Sequence, residues 1–178
     1  MKGPSANLFV YHMRQDDPKR CTASKLIRMG LLRNVGPRHI SKRAIVLNPA
    51  SKDILSSSDT AYARLGLVVI DCSWKRSGST FTRRFRGINR RLPILLAANP
   101  VNYGHPFTLS SVEALSGALI LVGCDEQAEF ILSKFKWGPT FLDLNREPLE
   151  DYRNAESNES IMKLEQEYFP KACRSLNL

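Results

Sequence analysis

Residues 92–114 constrain the fold of this chain more than any other part, because an apolar run there changes abruptly into a rigid polar loop. The run LPILLAA is followed by NPVNYGHP, in which asparagine, proline and glycine favour turns, and then by a helix start, LSSVEA. A strand, a loop and a helix in this order are typical of α/β proteins, which form ligand sites at the carboxyl ends of their strands. The segment therefore predicts an α/β fold with a ligand site beside this loop.

Three further apolar runs predict strands, and continuous apolar runs of this length are typical of parallel strands covered on both faces. The predicted strands are Asn7–His12, Ala44–Leu47, Leu67–Asp71 and, as the fourth, Leu92–Ala98. The predicted helices are Thr22–Arg33, Thr60–Leu65, an apolar helix with Ser110 and Glu113 as its capping box, one with acidic first turns from Asp125, one opened by Pro139, and Ser160–Tyr168. Alternating strands and helices, followed by helices alone, indicate the α/β class.

Length and composition allow one full hydrophobic core or two small ones that share an interface, since 43% of the 178 residues are hydrophobic. No apolar run approaches the roughly 20 residues that cross a bilayer, and no long apolar signal segment opens the chain. We therefore expect a cytoplasmic protein with no membrane partner. The four cysteines lie about 50 residues apart, and neither His12 nor His39 has partners at metal-ligand spacing, so we expect reduced thiols and no metal.

The positive charge of the chain is confined to its first half. Residues 1–91 contain 19 lysines and arginines against 5 aspartates and glutamates, whereas residues 92–178 contain 7 against 12. The densest part, KRSGSTFTRRFRGINRR at residues 75–91, is called the basic segment below; it has seven basic residues, no acidic one and two phenylalanines. Its basic residues are Lys75, Arg76, Arg83, Arg84, Arg86, Arg90 and Arg91.

Two interpretations of the basic segment are open. Arginine forks bind phosphates and bases stack on aromatic rings, so the composition predicts a flap that contacts RNA. A solvated loop has the same composition, because the segment holds too few apolar residues to form core. Its position directly after the DCSW sequence of residues 71–74 favours the RNA-binding interpretation.

Four motifs resemble those of one enzyme family: DPKRCTASKL at Asp17–Leu26, DCSW at Asp71–Trp74, ANPVNYG at 98–104 and FKWG at Phe135–Gly138. Together they are similar to the small-subunit rRNA aminocarboxypropyltransferases, ribosome-assembly enzymes related to SPOUT-type RNA methyltransferases. The resemblance implies a SPOUT-like α/β fold with a knotted, mainly helical C-terminal domain, and the knot is a trefoil. We expect this domain at 92–178 and a smaller N-terminal α/β domain with the basic segment at 1–91.

The resemblance also implies an activity. These enzymes transfer the 3-amino-3-carboxypropyl group of S-adenosylmethionine to N3 of a uracil-type base, N1-methylpseudouridine in eukaryotic substrates, and release methylthioadenosine. We therefore expect small-subunit rRNA as the partner, S-adenosylmethionine as the group donor and a monomeric enzyme that uses no metal. Two alternatives stay open: a SPOUT-like rRNA methyltransferase that transfers the methyl carbon, and a non-catalytic assembly factor that binds rRNA through the basic segment.

Site residues carry over where this sequence matches the family motifs. Asp71 is the candidate general base, because N3 must lose its proton as it attacks. Trp74 is expected to cover the methyl group of the donor, which directs attack to the aminocarboxypropyl arm, and to contact the sulfonium by a cation–π interaction. The residues expected to bind S-adenosylmethionine are Thr22, Ile70, Trp74, Leu92, Phe107 and Ser111.

Each of these assignments has a structural alternative. Trp74 is also consistent with ordinary core packing, and Asp71 with a helix cap or a loop contact. Thr22 and Ser111 both stand at predicted helix starts, where hydroxyl residues serve as caps. Ser77 departs from the family pattern, since a small apolar residue is expected one turn beyond Trp74 to complete the methyl pocket.

Overall fold

The computed structural model describes residues 3–13, 21–71 and 85–176. Within these residues, five strands form one sheet in which each neighbouring pair is parallel. The strands are β1 (Leu8–His12), β2 (Arg33–Asn34), β3 (Ile45–Leu47), β4 (Leu67–Asp71) and β5 (Ile88–Arg90). Their order across the sheet is β2-β1-β4-β3-β5, which places the two longest strands side by side near its centre.

Both faces of the central strands are buried. In β4, Leu67 and Val69 belong to the larger hydrophobic core, whereas Val68 and Ile70 belong to a smaller one that includes Phe85. Alternate residues of a strand point to opposite faces, so the two cores lie on the two sides of the sheet. This arrangement confirms the prediction of parallel strands covered on both faces.

The helices in the described part of the chain are α1 (Thr22–Arg28), α2 (Thr60–Leu65), α3 (Ser111–Leu121), α4 (Asp125–Leu132), α5 (Gly138–Asn154), α6 (Asn158–Tyr168) and α7 (Pro170–Leu176). Short 3-10 turns occupy Pro37–His39 and Ser57–Asp59. Predictions for α2 to α6 are confirmed, with small differences at the ends, while α7 was not predicted. Among residues 3–13, 21–71 and 85–176, no helix combines the length and apolar character needed to cross a membrane.

The first helix is shorter than predicted. It ends at Arg28 instead of Arg33, because Gly30 adopts a φ of +70° and turns the chain away from the helix axis. The Leu31 amide then donates to the Leu26 carbonyl at 3.0 Å, a typical way to satisfy the last carbonyls of a helix. This early end leaves room for β2, which the sequence analysis missed.

Helix α3 lies at the centre of the larger core. Ten of its eleven residues are buried, which confirms the prediction from its nearly continuous apolar sequence. The same core contains Val10 and Leu47 from the sheet and Phe141 and Tyr152 from α5. The larger core is therefore continuous across the predicted boundary between residues 91 and 92.

The prediction of a strand at Leu92–Ala98 is wrong. The sheet ends instead at β5, and among the described residues 92–98 only Leu96 forms a β-bridge, an isolated one to Pro106. Side chains from three helices replace the missing strand neighbour: the amides of residues 94, 96 and 98 donate to Glu165 of α6, Asn145 of α5 and Glu113 of α3, at 2.9, 2.7 and 2.6 Å. Most of the segment is buried, as its composition predicts, and it is held by these side chains and by backbone hydrogen bonds to residues 104–107.

Candidate functional site

The carboxyl ends of β1 and β4 lie side by side and present two polar residues. His12 is the last residue of β1, Asp71 is the last residue of β4, and the two are paired in the register of the sheet. The first residues of α1 and α3 also lie here, because Cys21 and Ser111 both contact the Asp71 carboxylate. This edge is the usual position of ligand sites in open parallel sheets.

Asp71 is held by three side chains from three different elements. The Ser111 hydroxyl donates to Oδ1 at 2.5 Å, and the Cys21 thiol donates to Oδ2 at 3.4 Å. His12 Nδ1 lies 3.6 Å from Oδ2, and the side chains of His12 and Asp71 are each 11% exposed. The carboxylate is therefore fixed in orientation and largely removed from water.

Thr22 joins this group from the other side. Its hydroxyl oxygen accepts a hydrogen bond from the Val112 amide at 3.4 Å, which links the start of α1 to the start of α3. Thr22, Asp71 and Ser111, which are far apart in the sequence, are thus neighbours in space. An accepting hydroxyl still has its own proton to donate, so Thr22 can donate to an anionic ligand group without losing its contact with α3.

Cys21 and His12 are both anchored on Ser24 of α1. The Ser24 amide donates to Cys21 Sγ at 3.3 Å, which makes Cys21 the cap of α1, and His12 Nε2 lies 3.0 Å from the Ser24 hydroxyl. Burial raises the pKa of the Cys21 thiol, and the nearby Asp71 carboxylate acts in the same direction, although the Ser24 contacts oppose it. The thiol is therefore the dominant form at neutral pH.

The loop between residues 98 and 110 is fixed by Glu113. This carboxylate is fully buried and accepts hydrogen bonds from the amides of Ala98, Asn99 and Ser110 at 2.6 to 2.9 Å, and from the Asn99 and Ser110 side chains at 2.7 and 2.6 Å. The capping box predicted from Ser110 and Glu113 is confirmed. Glu113 also binds the amides of Ala98 and Asn99 at the beginning of the loop, and the spacing between Ser110 and Glu113 did not predict these contacts.

Within the loop, asparagine side chains add hydrogen bonds to those of the backbone. Asn99 Oδ1 accepts from the amides of Val101 and Asn102, and the Asn102 side chain donates to the Thr108 carbonyl at 3.1 Å. Tyr103, at the tip, is 60% exposed. Phe107 adopts a φ of +68°, which is unusual for a residue with a side chain and is maintained here by the fixed loop around it.

The remaining residues assigned to S-adenosylmethionine lie in different settings. Ile70 directly precedes Asp71 and is buried in the smaller core. Leu92 is half-buried against the larger core, and the Phe107 amide donates to the Leu95 carbonyl at 3.3 Å. Trp74 and Ser77 lie outside the described residues. The structure therefore unites Thr22, Ile70, Asp71 and Ser111, while Leu92 begins the 92–98 segment and Phe107 bonds to it at Leu95.

The basic segment is described only from residue 85 onward, and Lys75, Arg76, Arg83 and Arg84 lie outside the described residues. Arg86 is exposed, with one guanidinium nitrogen donating to the Arg38 carbonyl at 2.7 Å. Arg90 is half-buried and contacts the buried carboxylate of Asp59 at 3.0 Å. Arg86 is thus positioned to meet a phosphate, whereas Arg90 is engaged by the protein.

The prediction that Arg91 contacts RNA requires a correction. It is 8% exposed, and its guanidinium forms a two-point ion pair with Glu165 of α6 at 2.6 and 2.8 Å. A phosphate would reach this guanidinium only after the buried ion pair is broken, which leaves an unpaired buried carboxylate. Arg91 therefore fastens α6 to the 92–98 segment and is not an RNA contact.

The sequence analysis missed the roles of His12 and Cys21. Spacing along the chain gave His12 no ligand partner, yet its neighbours come from elements distant in sequence. One signal was present: His12 and Asp71 each end an apolar run predicted to be a parallel strand, and adjacent strand ends meet at one edge. Using this signal requires the order of the strands in the sheet, which the apolar pattern does not reveal.

A parallel sheet with carboxylate, hydroxyl, thiol and imidazole groups at neighbouring strand ends defines an α/β protein with a small-ligand site. Comparison with known proteins specifies the class further. The model of a family described as "Ribosome biogenesis protein, C-terminal" matches residues 45–169. A solved structure, that of the SAM-dependent rRNA:acp-transferase Tsr3 from Vulcanisaeta distributa, superposes with a TM-score of 0.80 at 36% identity and covers 89% of this chain and 95% of that one.

Curated relatives agree with this match. The 16S rRNA aminocarboxypropyltransferase of Methanopyrus kandleri is 46% identical over 166 residues, which are 92% of this chain and 98% of that protein. The protein of the same name from Methanococcoides burtonii is 44% identical over 165 residues, 91% of this chain and 94% of the relative. The chain belongs to the family of 16S rRNA aminocarboxypropyltransferases.

A second family model, described as "Possible Fer4-like domain in RNase L inhibitor, RLI", matches residues 7–37. Iron–sulfur clusters of the ferredoxin type are held by four cysteine thiolates. Residues 7–37 contain one cysteine, Cys21. These residues therefore do not fit such a cluster.

Proposed function

We propose that this protein transfers the 3-amino-3-carboxypropyl group of S-adenosylmethionine to N3 of a uridine-type base in small-subunit rRNA and releases methylthioadenosine. Family membership supports the substrate and the reaction. The observation that carries the proposal is the contact between Asp71 and Ser111, because it joins the DCSW motif to the helix that follows the ANPVNYG loop. The DCSW motif and the helix that follows the ANPVNYG loop thus contribute to one site in this proposal.

Thr22 and Ser111 bind the carboxylate of the donor in this proposal. Their positions at the starts of α1 and α3 support it, since the two helices meet there. Ser111 has one hydroxyl proton, which it donates to Asp71 when no ligand is bound. Donation to the donor carboxylate therefore requires the hydroxyl to turn away from Asp71, so that binding frees Oδ1 of Asp71.

Asp71 then accepts the N3 proton of the base as N3 attacks the γ-carbon of the aminocarboxypropyl arm. The bond from sulfur to that carbon breaks, and its electron pair stays on sulfur, which leaves as neutral methylthioadenosine. Trp74 covers the methyl group and keeps the arm in line with N3. Trp74 lies outside the described residues, and its role rests on the family motif. Ile70, Leu92 and Phe107 line the nucleoside part of the donor.

The basic segment binds the rRNA in this proposal. The residues proposed to meet phosphates are Lys75, Arg76, Arg83, Arg84 and Arg86. The exposure of the Arg86 side chain supports this role. At the end of the segment, Arg90 and Arg91 form ion pairs with Asp59 and Glu165.

The finer architecture is also a proposal. We infer a SPOUT-like arrangement with a C-terminal trefoil knot in residues 92–178 and a smaller domain in residues 1–91, packed through the shared larger core. The extended 92–98 segment supports this arrangement, because three helices surround it and bond to its backbone. We further propose a cytoplasmic monomer that needs no metal for transfer.

Mass spectrometry of small-subunit rRNA tests the proposed function. In cells without this gene, one nucleotide of the rRNA should lose the mass of an aminocarboxypropyl group, and the wild-type gene should restore it. A gene with Asp71→Ala should fail to restore it while the protein still accumulates. Retention of the modified nucleotide in the deletion strain would contradict the proposal.

A further inference from the structure

His12, Cys21 and Asp71 bring three kinds of metal-ligating atom together at the end of the sheet. One ligand atom from each residue lies within 4.8 Å of the other two. Asp71 Oδ2 is 3.4 Å from Cys21 Sγ and 3.6 Å from His12 Nδ1. Ligand atoms around a tetrahedral Zn²⁺ lie about 3.3 to 3.7 Å apart, given bonds of about 2.3 Å to sulfur and about 2.0 Å to nitrogen or oxygen. The separations from Asp71 match those of a zinc site.

Each of these ligands also has the outer contact that supports ligands in metal sites. With Nδ1 of His12 facing Asp71, Nε2 lies 3.0 Å from the Ser24 hydroxyl. Asp71 Oδ1 accepts from Ser111, and Cys21 Sγ accepts from the Ser24 amide at 3.3 Å. Such outer partners fix the tautomer and orientation of metal ligands and raise affinity. The fold therefore holds the three residues close together. The His12 nitrogen 3.8 Å from Cys21 Sγ is Nε2, so the imidazole must shift slightly for Nδ1 to share an ion with Cys21.

The position of the cluster favours binding for a second reason. His12 and Asp71 are paired residues at the ends of adjacent strands, and Cys21 caps a helix, so little chain has to be ordered. Their side chains are nearly buried, Cys21 being 8% exposed as a residue. A rigid, poorly hydrated set of ligands strengthens electrostatic attraction to a divalent ion.

We propose that His12, Cys21 and Asp71 bind Zn²⁺ or a chemically similar divalent ion, and that the bound ion inhibits group transfer. A thiolate, an imidazole and a carboxylate suit Zn²⁺, whereas Mg²⁺ prefers oxygen ligands alone. Three protein ligands leave the fourth tetrahedral position to water. Binding requires the Cys21 thiol to release its proton to solvent. Inhibition rests on the proposed function, because an ion bound to Oδ2 neutralises the Asp71 carboxylate that accepts the N3 proton.

Cobalt provides a direct test of the site. Co²⁺ added to the full-length protein should produce the near-ultraviolet charge-transfer band of a thiolate ligand, and Zn²⁺ should abolish it by displacement. Cys21→Ser should remove the band without unfolding α1, since serine is itself a good helix cap. The matched control is Cys124→Ser, which changes another buried cysteine and should keep the band. Ser24→Ala removes the outer contact of His12 and should lower the affinity for Co²⁺ by about 10- to 100-fold.

Three results would overturn the metal site: no band in the wild-type protein, a band unchanged in Cys21→Ser, or a band absent in Cys72→Ser and kept in Cys21→Ser. The last would assign the thiolate to the residue that follows Asp71. Circular dichroism of each variant distinguishes the loss of a ligand from the loss of the fold.

Activity measurements test the inhibition separately. Zn²⁺ should inhibit transfer by the wild-type protein, a chelator should restore it, and Mg²⁺ should have no effect. Relative to its own activity without Zn²⁺, Cys21→Ser should need at least about tenfold more Zn²⁺ for the same inhibition, as expected when one ligand is removed. Tight Zn²⁺ binding with unchanged transfer would refute the inhibition. Absence of transfer in metal-free buffer would refute the proposed function, and the cobalt test would still decide the site.

Discussion

At the scale of single residues, Glu113 determines how the ANPVNYG loop meets α3. Five donors from Ala98, Asn99 and Ser110 converge on its two oxygens inside the protein. A carboxylate accepts at every lone pair, whereas a glutamine amide presents two N–H donors on one side. The spacing of Ser110 and Glu113 predicted the contacts between these two residues, because a capping box involves only residues close in the sequence. It did not predict the contacts of Glu113 with Ala98 and Asn99.

Glu113→Gln should lower the free energy of unfolding by about 2 to 4 kcal/mol, since an amide nitrogen would face buried N–H groups that then lack an acceptor. Urea denaturation followed by circular dichroism measures the change. Glu129→Gln is the control, because Glu129 is exposed on the next helix and its replacement should stay within about 0.5 kcal/mol. Equal effects of the two replacements would show that the buried network is not needed.

Thr22 and Ser111 give a second prediction at this scale. Replacing either with alanine should weaken S-adenosylmethionine binding by about 1 to 3 kcal/mol, the cost of removing a hydrogen bond to a charged group. Calorimetry measures the affinity, and Thr60→Ala on the exposed start of α2 provides a hydroxyl control outside the site. Unchanged affinity in both variants would reject the assignment and leave the two residues as helix caps.

Motifs identified Thr22, Asp71 and Ser111, and the structure brings them together. The same motifs did not identify His12 and Cys21 as neighbours of Asp71. Their approach depends on the pairing of β1 with β4, whose strands are separated in the chain by α1, β2, β3 and α2. Periodicity predicts that a strand exists and which residues end it, but strand order depends on the packing of the whole sheet.

At the scale of elements, the apolar run at 92–98 shows what an apolar pattern cannot predict, namely the partner of the backbone. Most of its residues are buried as predicted, yet the amides of residues 94, 96 and 98 bond to Glu165, Asn145 and Glu113 instead of a neighbouring strand. An apolar run reports burial, and burial is compatible with any partner that satisfies the backbone. By contrast, β5 contains the polar sequence INR and is only half-buried, so its pattern did not predict a strand.

The FKWG motif has a steric explanation at its glycine. A Cβ on Gly138 would lie 2.1 Å from the Leu132 carbonyl oxygen, a backbone atom that cannot move away. Alanine normally stabilises a helix relative to glycine by about 0.5 to 1 kcal/mol. At Gly138 the preference for alanine is reversed, because the end of α4 and the start of α5 are in close contact at this residue.

Gly138→Ala should therefore destabilise the protein by about 1 to 3 kcal/mol, a typical cost of overpacking a core. Gly117→Ala is the matched control inside α3: its Cβ would meet only the end of the Leu95 side chain, at 2.8 Å, which can turn aside. Thermal unfolding of both variants compares them. A larger loss for Gly117→Ala than for Gly138→Ala would contradict the backbone explanation.

At the scale of the whole molecule, charge and core are distributed differently. The larger core joins both halves of the chain, whereas the lysines and arginines are concentrated in residues 1–91. The sequence contains the charge asymmetry, and the order of its predicted strands and helices indicated the α/β class, but neither could show which arginines form ion pairs within the protein. Arg91 belongs to the basic segment in sequence and to the α6 contact in the structure.

RNA binding by the basic segment yields a prediction at this scale. Replacing Arg83, Arg84 and Arg86 with glutamine should weaken rRNA binding and reduce the slope of log K against log salt by about 0.7 to 0.9 for each phosphate that is no longer neutralised. Replacing Lys163, Lys171 and Arg174, three exposed basic residues of the last two helices, removes the same charge elsewhere. An equal change of slope in both triple variants would indicate general charge attraction instead of a defined binding surface.

The most direct test of the account follows the transferred carbon. S-adenosylmethionine labelled either in the methyl group or in the aminocarboxypropyl arm is incubated with the protein and unmodified small-subunit rRNA, and the labelled products are identified by mass spectrometry. The proposed function predicts label in the rRNA only from the aminocarboxypropyl arm, with methylthioadenosine as the released nucleoside. Label in the rRNA from the methyl group, together with S-adenosylhomocysteine, would contradict it and identify the protein as a methyltransferase.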